Sequence, residues 1–193
     1  MLRVLQPSDY AVVPWKNGGG VTSDILVLPA GAWNDDFSLR VSLAPITVPG
    51  PFSSFPGIER HITLLSHACV ELVFADAGAT TLTRLKPFRF DSVLAPATRL
   101  PDGPANVLNV MTRRGVWTAT VCAQDGAGAA EGDCVVLYAV RGMWSAASGT
   151  EAVSCPAGAA IVAAGAVSFA GTEDAEAVLA VAMRVKEMGT TLQ

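Results

Sequence analysis

The chain has 193 residues, 51% of them hydrophobic and 16% charged, with a formal net charge of −4 and a mean hydropathy of +0.41. That is material for a sizeable core in one large domain or two small ones, and the acidic balance argues against the basic footprint of a nucleic-acid binder. No uninterrupted apolar run approaches the roughly 20 residues of a membrane helix, so no membrane partner is expected.

In chain order, short runs of Val, Leu, Ile and Phe alternate with turn residues. This is the rhythm of an all-β sandwich or barrel. The expected strands are 2–6, 22–28, 37–43, 61–65, 70–74, 81–85, 88–90, 107–112, 116–123, 135–140, 142–145, 159–162, 166–169 and 177–185. One short helix is expected over 7–10, with Ser8 or Asp9 near its cap. In the run from Phe37 to Leu43, Phe, Leu, Val and Leu face one way and Ser38, Arg40 and Ser42 the other. The Gly/Ala-rich stretch 125–133 reads as a surface loop and a boundary between halves. A weak internal echo supports two similar halves. Ile62-Thr63-Leu64-Leu65 leads through a turn to Lys86-Pro87-Phe88, and Val136-Leu137-Tyr138 leads to Cys155-Pro156-Ala157. The first residues, Met1-Leu2-Arg3-Val4-Leu5, lack a signal-peptide plan, so a soluble cytoplasmic protein is expected.

Charge is unevenly divided. Residues 1–120 hold ten Lys/Arg against nine Asp/Glu, and residues 121–193 hold three against eight. A site with cationic side chains therefore belongs to the first part. Cys69, Cys122, Cys134 and Cys155 show no Cys-x-x-Cys spacing and sit in apolar stretches, where free cysteine acts as a small hydrophobe. The two histidines, His61 and His67, lie too far apart to ligate one ion, so no metal or other cofactor is expected. His61 reads as a structural strand residue and His67 as exposed. No Gly-x-Ser-x-Gly elbow is present, and Gly18-Gly19-Gly20 lacks the spacing of a nucleotide loop.

Three segments carry the chemistry that remains. In Pro14-Trp15-Lys16-Asn17-Gly18-Gly19-Gly20, a cation and an amide precede three glycines. Such a run suits a sharp turn or a backbone that something approaches closely. A plain glycine turn with Lys16 solvated is the competing reading. In Gly50-Pro51-Phe52-Ser53-Ser54-Phe55-Pro56-Gly57-Ile58-Glu59-Arg60, Gly and Pro at both ends fix an irregular loop. It presents Ser53, Glu59 and Arg60, and the guanidinium offers a planar fork for a carboxylate. Glu59 either orients that fork or forms a surface pair with it. In Leu108-Asn109-Val110-Met111-Thr112-Arg113, alternation puts Asn109, Met111 and Arg113 on one face, which fits a cavity for a polar ligand or a solvent-facing edge.

These segments, with Phe37-Ser38-Leu39-Arg40-Val41-Ser42, Pro87-Phe88-Arg89-Phe90-Asp91 and Asn109-Val110-Met111, resemble the HutD/Ves family of bacterial proteins. The match is specific over residues 1–120 and weakens toward the C-terminus. Two turns depart from the family pattern, at Leu65-Ser66-His67-Ala68 and at Asp91-Ser92-Val93. The resemblance implies a bicupin (RmlC-like), two packed β-barrels in one chain. The first lobe, 1–125, would carry the ligand pocket and 130–193 would form the second. It implies a non-catalytic regulator linked to histidine utilisation that binds a small carboxylate, with formylglutamate proposed. Lys16, Asn17, Gly18, Gly19, Ser53, Glu59, Arg60, Asn109 and Arg113 are then the expected ligand-binding residues. Arg60 and Arg113 would take carboxylates, Lys16 would add charge, and Asn17 or Asn109 would read the amide. A metal-independent cupin enzyme, an isomerase or lyase acting on a small anion, is the alternative. It needs an acid/base pair, and Glu59 is the only obvious acid by the cluster. A purely structural interaction protein explains the clustered cations and amides poorly. A homodimer is left open.

Overall fold

The computed structural model describes residues 1–15, 20–32 and 36–186. The strands run β1 (Leu2–Leu5), β2 (Ala11–Pro14), β3 (Val21–Leu28), β4 (Leu39–Ile46), β5 (Gly50–Pro51), β6 (Ile58–Leu64), β7 (Val70–Phe74), β8 (Gly78–Leu82), β9 (Phe88–Asp91), β10 (Ala97–Arg99) and β11 (Ala105–Arg113). They continue with β12 (Trp117–Gln124), β13 (Gly128–Arg141), β14 (Met143–Ser148), β15 (Glu151–Pro156), β16 (Ala160–Gly171) and β17 (Glu176–Arg184). The expected short helix is a 3₁₀ turn over Pro7–Asp9, where Asp9 accepts a hydrogen bond from the Gln6 amide at 2.8 Å. Among the described residues no helix is long and apolar enough to cross a membrane.

The strands form three sheets. A six-stranded sheet has the order β2-β3-β4-β11-β6-β9, a four-stranded one β5-β10-β7-β8, and a seven-stranded one β12-β17-β13-β16-β14-β15 with β1 added against β16. The all-β expectation holds. The expected closed barrels are not seen: each sheet ends in open edges. The N-terminal strand crosses over, because β1 joins the seven-stranded sheet while β2 joins the six-stranded one. Tyr10, between them, donates its hydroxyl to the Gly158 carbonyl at 2.8 Å.

Alternation explains how the sheets stack. Leu39 and Val41 on β4 and Leu108 and Val110 on β11 point one way. They are buried against Val136, Val162 and Ala180 of the seven-stranded sheet. The opposite face of the same strands carries Ala44, Ile46 and Val107, packed with Ile62, Leu64, Val70 and Leu72 between the six- and four-stranded sheets. Each Val, Leu or Ile so buried contributes about 1.5–3 kcal/mol. β6 therefore lies in the middle of the stack, and every residue from Arg60 to Leu64 is buried. A two-pronged ion pair ties the first part of the chain to the last. Arg84 donates from Nη1 and Nη2 to the two carboxylate oxygens of Glu176 at 2.9 and 2.6 Å.

The reading of 125–133 as a surface loop holds only for 125–127 and is overturned beyond, since β13 starts at Gly128 and runs to Arg141. Small residues there allow close packing rather than a loop. A Cβ at Gly132 would lie 2.9 Å from Val181 Cγ1 and 3.1 Å from the Ala182 carbonyl oxygen. The register shift between Gly132 and Val135 marks a bulge at the same place.

Candidate functional site

A cavity of about 160 Å³ opens on the face of the six-stranded sheet turned away from the seven-stranded one. Its floor is built from Thr22 and Asp24 of β3, Arg40 and Ser42 of β4, Asn109 and Met111 of β11, and Arg60 of β6. Trp15, Phe37, Phe52, Ser53 and Phe55 stand around it.

Sheet register sets this floor. Asp24 pairs with Ser42, and Ser42 with Asn109, so these three form one row across β3, β4 and β11. The next row runs Val27, Arg40, Met111, Arg60 and Phe90. Directly opposed residues in antiparallel strands project to one side. Asp24 and Val27 are three apart, which alternation alone would put on opposite faces. The register shift between Asp24 and Leu26 absorbs the odd residue and turns both toward the cavity.

Arg60 is the centre of the electrostatics. It is only 4% exposed, and its guanidinium carbon lies 5.0 Å from the Phe52 ring centroid, 5.5 Å from Phe55 and 5.7 Å from Phe90. Its Nε has no hydrogen-bond partner, and no carboxylate pairs with it among the described residues. Burial first, and the nearby Arg40 charge second, push the guanidinium down from 12.5 to about 10. Arg40 is arranged differently. Its Nε donates to Asp24 Oδ1 at 2.8 Å, in a pair whose side chains are only 14% and 9% exposed. Burial raises the Asp24 carboxyl above its ordinary value, against the pull of Arg40. Asn109 is also buried, and its Oδ1 has no partner among the described residues.

The irregular loop ahead of β6 is pinned by its backbone. The Gly50 amide donates to Thr98 Oγ1 at 3.1 Å, Phe52 N to the Pro96 carbonyl at 3.0 Å and Phe55 N to the Ser92 carbonyl at 3.3 Å. This holds Phe52 and Phe55 over Arg60. Trp15 is fixed by its indole N–H, which donates to Thr22 Oγ1 at 2.7 Å. A Cβ on Gly20 would meet the Trp15 ring at 3.1 Å, so a glycine lets that ring lie flat on the chain.

The expected site residues separate on this geometry. Ser53, Arg60 and Asn109 line the cavity. Lys16, Asn17, Gly18 and Gly19 lie outside the described residues, although Pro14 and Trp15 just before them are in the cavity wall. Glu59 is not in the lining. The pleat sends the residue next to Arg60 to the other face, where Glu59 pairs with Arg89 at 2.9 Å. Arg113 is not in the lining either. It shares the Asn109 face but sits at the end of β11 opposite Ile58, and its Nε and Nη2 donate to the Phe37 carbonyl at 3.2 and 3.1 Å. Asp24, Arg40 and Ser42 were not anticipated as site residues. The polar face of the run from Phe37 to Leu43 was the signal that could have found two of them. His61 lies buried on β6 and His67 is exposed, as expected. Among the described residues no group of three or more His, Cys, Asp or Glu could hold a metal ion.

Known proteins resemble this chain in sequence and fold. The chain is 37% identical over 132 residues to Protein Ves from Citrobacter koseri, covering 67% of this chain and 68% of that one. It is 33% identical over the same length to Protein Ves from Escherichia fergusonii, with the same coverage. The structure of HutD from Pseudomonas fluorescens SBW25 superposes with a TM-score of 0.83 at 25% identity, covering 96% of this chain and all (100%) of that one. The conserved protein PA5104 from Pseudomonas aeruginosa PAO1 gives 0.86 at 23% identity over 95% and 99% of the two chains. The pirin YhhW from Escherichia coli, in complex with nickel(II), shares the fold at a TM-score of 0.63 and 11% identity, over 93% and 98%. The HutD family model matches residues 7–181, nearly the whole of the described chain, and with the Ves relatives above 30% identity it shows that this chain belongs to the HutD family.

Proposed function

We propose that this protein is a non-catalytic, cytoplasmic regulator that binds a small carboxylate such as formylglutamate in the Arg60 cavity and so modulates histidine utilisation. One observation carries the reading: a buried guanidinium, ringed by three phenylalanines, has no anionic partner among the described residues. A buried charge of that kind is costly unless something pairs with it. A carboxylate matches its planar donors. The Pseudomonas fluorescens HutD structure belongs to a formate condition, and formate is the smallest carboxylate. The same reading takes the three sheets as a bicupin with lobes near 1–125 and 130–193.

The test is a thermal-shift series with formylglutamate, glutamate, formate and urocanate. A ligand that binds only the native state raises the melting temperature by mass action. A saturable rise with formylglutamate, lost in Arg60→Ala, is the expected result. No rise with any of the four carboxylates would end the proposal.

One observation favours the enzyme reading. Asp24 is a cavity-lining acid whose carboxyl is raised by burial, which is how a general acid or base is tuned. Its Nε–H···Oδ1 bond from Arg40 competes with that role. Proton NMR of each bound acid over a day distinguishes the two: unchanged ligand supports the binder, and a new product supports the enzyme.

A further inference from the structure

Most of the open sheet edges are guarded. β9 carries Arg89 and Asp91, β15 carries Glu151 and ends on Pro156, β2 ends on Pro14, and β5 is two residues long. Charge, proline and short length are what keep an edge from pairing with another chain. β12, the edge of the seven-stranded sheet beyond β17, has none of these guards. From Val116 to Gln124 the sequence is Val-Trp-Thr-Ala-Thr-Val-Cys-Ala-Gln, without a charge, a proline or a glycine.

The ladder shows which backbone groups of β12 are left over. The Val185 amide donates to the Val116 carbonyl at 2.9 Å, one step beyond the Trp117–Arg184 pair. Val116 and Val185 are thus a hydrogen-bonded pair, and such pairs alternate along an antiparallel ladder. Register is unbroken from Trp117 to Gln124, so Thr118, Thr120 and Cys122 turn their amides and carbonyls to β17. Trp117, Ala119, Val121 and Ala123 turn theirs outward, where no strand pairs with them among the described residues. On the face that Thr118 and Thr120 share, Val116, Met183 and Val185 stand 38%, 44% and 42% exposed beside this edge.

We infer that β12 is a dimerisation edge whose partner is β12 of a second copy of this chain, antiparallel about a twofold axis at Thr120. With the axis there, Ala119 meets the partner's Val121 and Trp117 meets the partner's Ala123. Every outward amide and carbonyl of both strands is then matched. Free groups centred on one residue in this way are self-complementary, and the pairing closes as a dimer. Charge agrees with the arrangement. Arg184 stands over the Trp117 ring at one end of β12, and Asp125 follows Gln124 at the other. Antiparallel pairing brings each end toward the partner's opposite one. Asp133, the acid beside Arg184, accepts the Arg184 amide at 2.7 Å. The inference does not depend on what the Arg60 cavity binds.

Sedimentation equilibrium of the full chain at about 100 μM is expected to give twice the 19.9 kDa mass of one chain. Thr120 is exposed and lies on the axis, so Thr120→Lys sets two ammonium groups against each other. It should give a monomer with unchanged circular dichroism. Ala119→Pro removes an outward N–H that the single chain does not use, and should do the same. Thr120→Lys alters no backbone group, so it keeps the test usable should Ala119→Pro fold poorly. Thr120→Cys should cross-link into a dimer under mild oxidation, and wild type should not. Opposed residues that share no hydrogen bonds lie about 4.5 Å apart at Cα, within reach of a disulfide. A monomeric wild type at that concentration would overturn the inference, whatever else the edge binds. So would a dimer that survives Thr120→Lys and that Thr120→Cys fails to cross-link.

Discussion

Replacing Arg60 by methionine should weaken ligand binding severely while leaving the free protein as stable as before, or more so. The guanidinium is held at about 10 against an ordinary 12.5. At about 1.4 kcal/mol per pH unit, keeping it charged at neutral pH costs the folded state on the order of 3 kcal/mol. Stacking over three rings offsets part of this, since a desolvated cation–π contact contributes about 1–2 kcal/mol. The rings at 5.0, 5.5 and 5.7 Å surround one guanidinium, so their contributions do not simply add. Methionine keeps the van der Waals contact with the rings and gains its own sulfur–aromatic attraction of about 0.3–1.5 kcal/mol. The expected change in unfolding free energy is therefore between about 0 and +2 kcal/mol. Binding should behave in the opposite way. Loss of a buried charge-assisted fork costs about 2–5 kcal/mol, or roughly 30- to several-thousand-fold in affinity. Arg60→Lys should recover only part of that, because an ammonium lacks the planar two-donor edge. Urea denaturation at neutral pH gives the first quantity and calorimetric titration of formylglutamate the second. A destabilisation above about 3 kcal/mol in Arg60→Met would show that the charge is already paired in the free protein, and the argument for a ligand anion would fail.

His61 should make the protein acid-sensitive above the carboxylate range. It is 7% exposed with Nδ1 unpartnered, and burial, only partly countered by Glu59, pushes its pKa below the ordinary 6.5. The unfolded chain then takes up a proton that the folded chain refuses. Stability is fully present above about pH 6.5 and falls as pH drops toward the lowered folded value. Urea midpoints from about pH 7.5 to about 5 should show this slope in wild type and lose it in His61→Gln, and an unchanged slope would assign it elsewhere. Gly132→Ala should destabilise by about 1–3 kcal/mol, because its Cβ lands 2.9 Å from Val181 Cγ1 inside the bulge of β13. Gly126→Ala, with no atom within 4 Å of the added carbon, is the control and should be near neutral. Similar losses in both would remove close packing as the reason for glycine in that strand.

Period-two runs made most strands legible: Val70–Phe74 occurs as expected, and the runs around 22–28 and 107–112 are off by a residue or two. Four short strands carried no such signal. β2 and β5 end on proline, β10 is three residues long, and β15 is mostly small or polar, so their pairing comes from neighbours rather than from their own pattern. The stretch ahead of Cys134 failed differently. Ala and Gly depress strand propensity, yet here they are what lets β13 pass close to β17. At the site, Asn109 was legible because an amide is unusual on a face that otherwise looks apolar, and Arg60 because its guanidinium suits a carboxylate, although it stands on β6 and not in the irregular loop it was read with. Arg40 and Ser42 were equally visible as a polar face on β4. Alternation says which side chains share a face, but not whether that face meets water or a cavity wall. Glu59 was misplaced by adjacency in sequence, which the pleat turns into opposition in space. Asp24 needed the bulge after it to be known before its direction could be read.

The two arginines of the floor differ in their partners, and on the proposed reading only Arg60 would pair with a ligand anion. They occupy the same register row, with Met111 between them. An apolar spacer keeps the guanidiniums on separate strands but close enough for Arg40 to depress Arg60. Asp24 then neutralises Arg40 and not Arg60. Had the carboxylate faced Arg60, an incoming ligand would have had to displace it, losing about as much as it gained. Aromatic faces hold Arg60 instead. They attract the cation without accepting hydrogen bonds from its in-plane donors, and its Nε is buried with no partner among the described residues. The floor thus holds one paired charge, which limits self-repulsion, and one buried charge with no carboxylate against it among the described residues, and the proposed ligand anion would pair with the second.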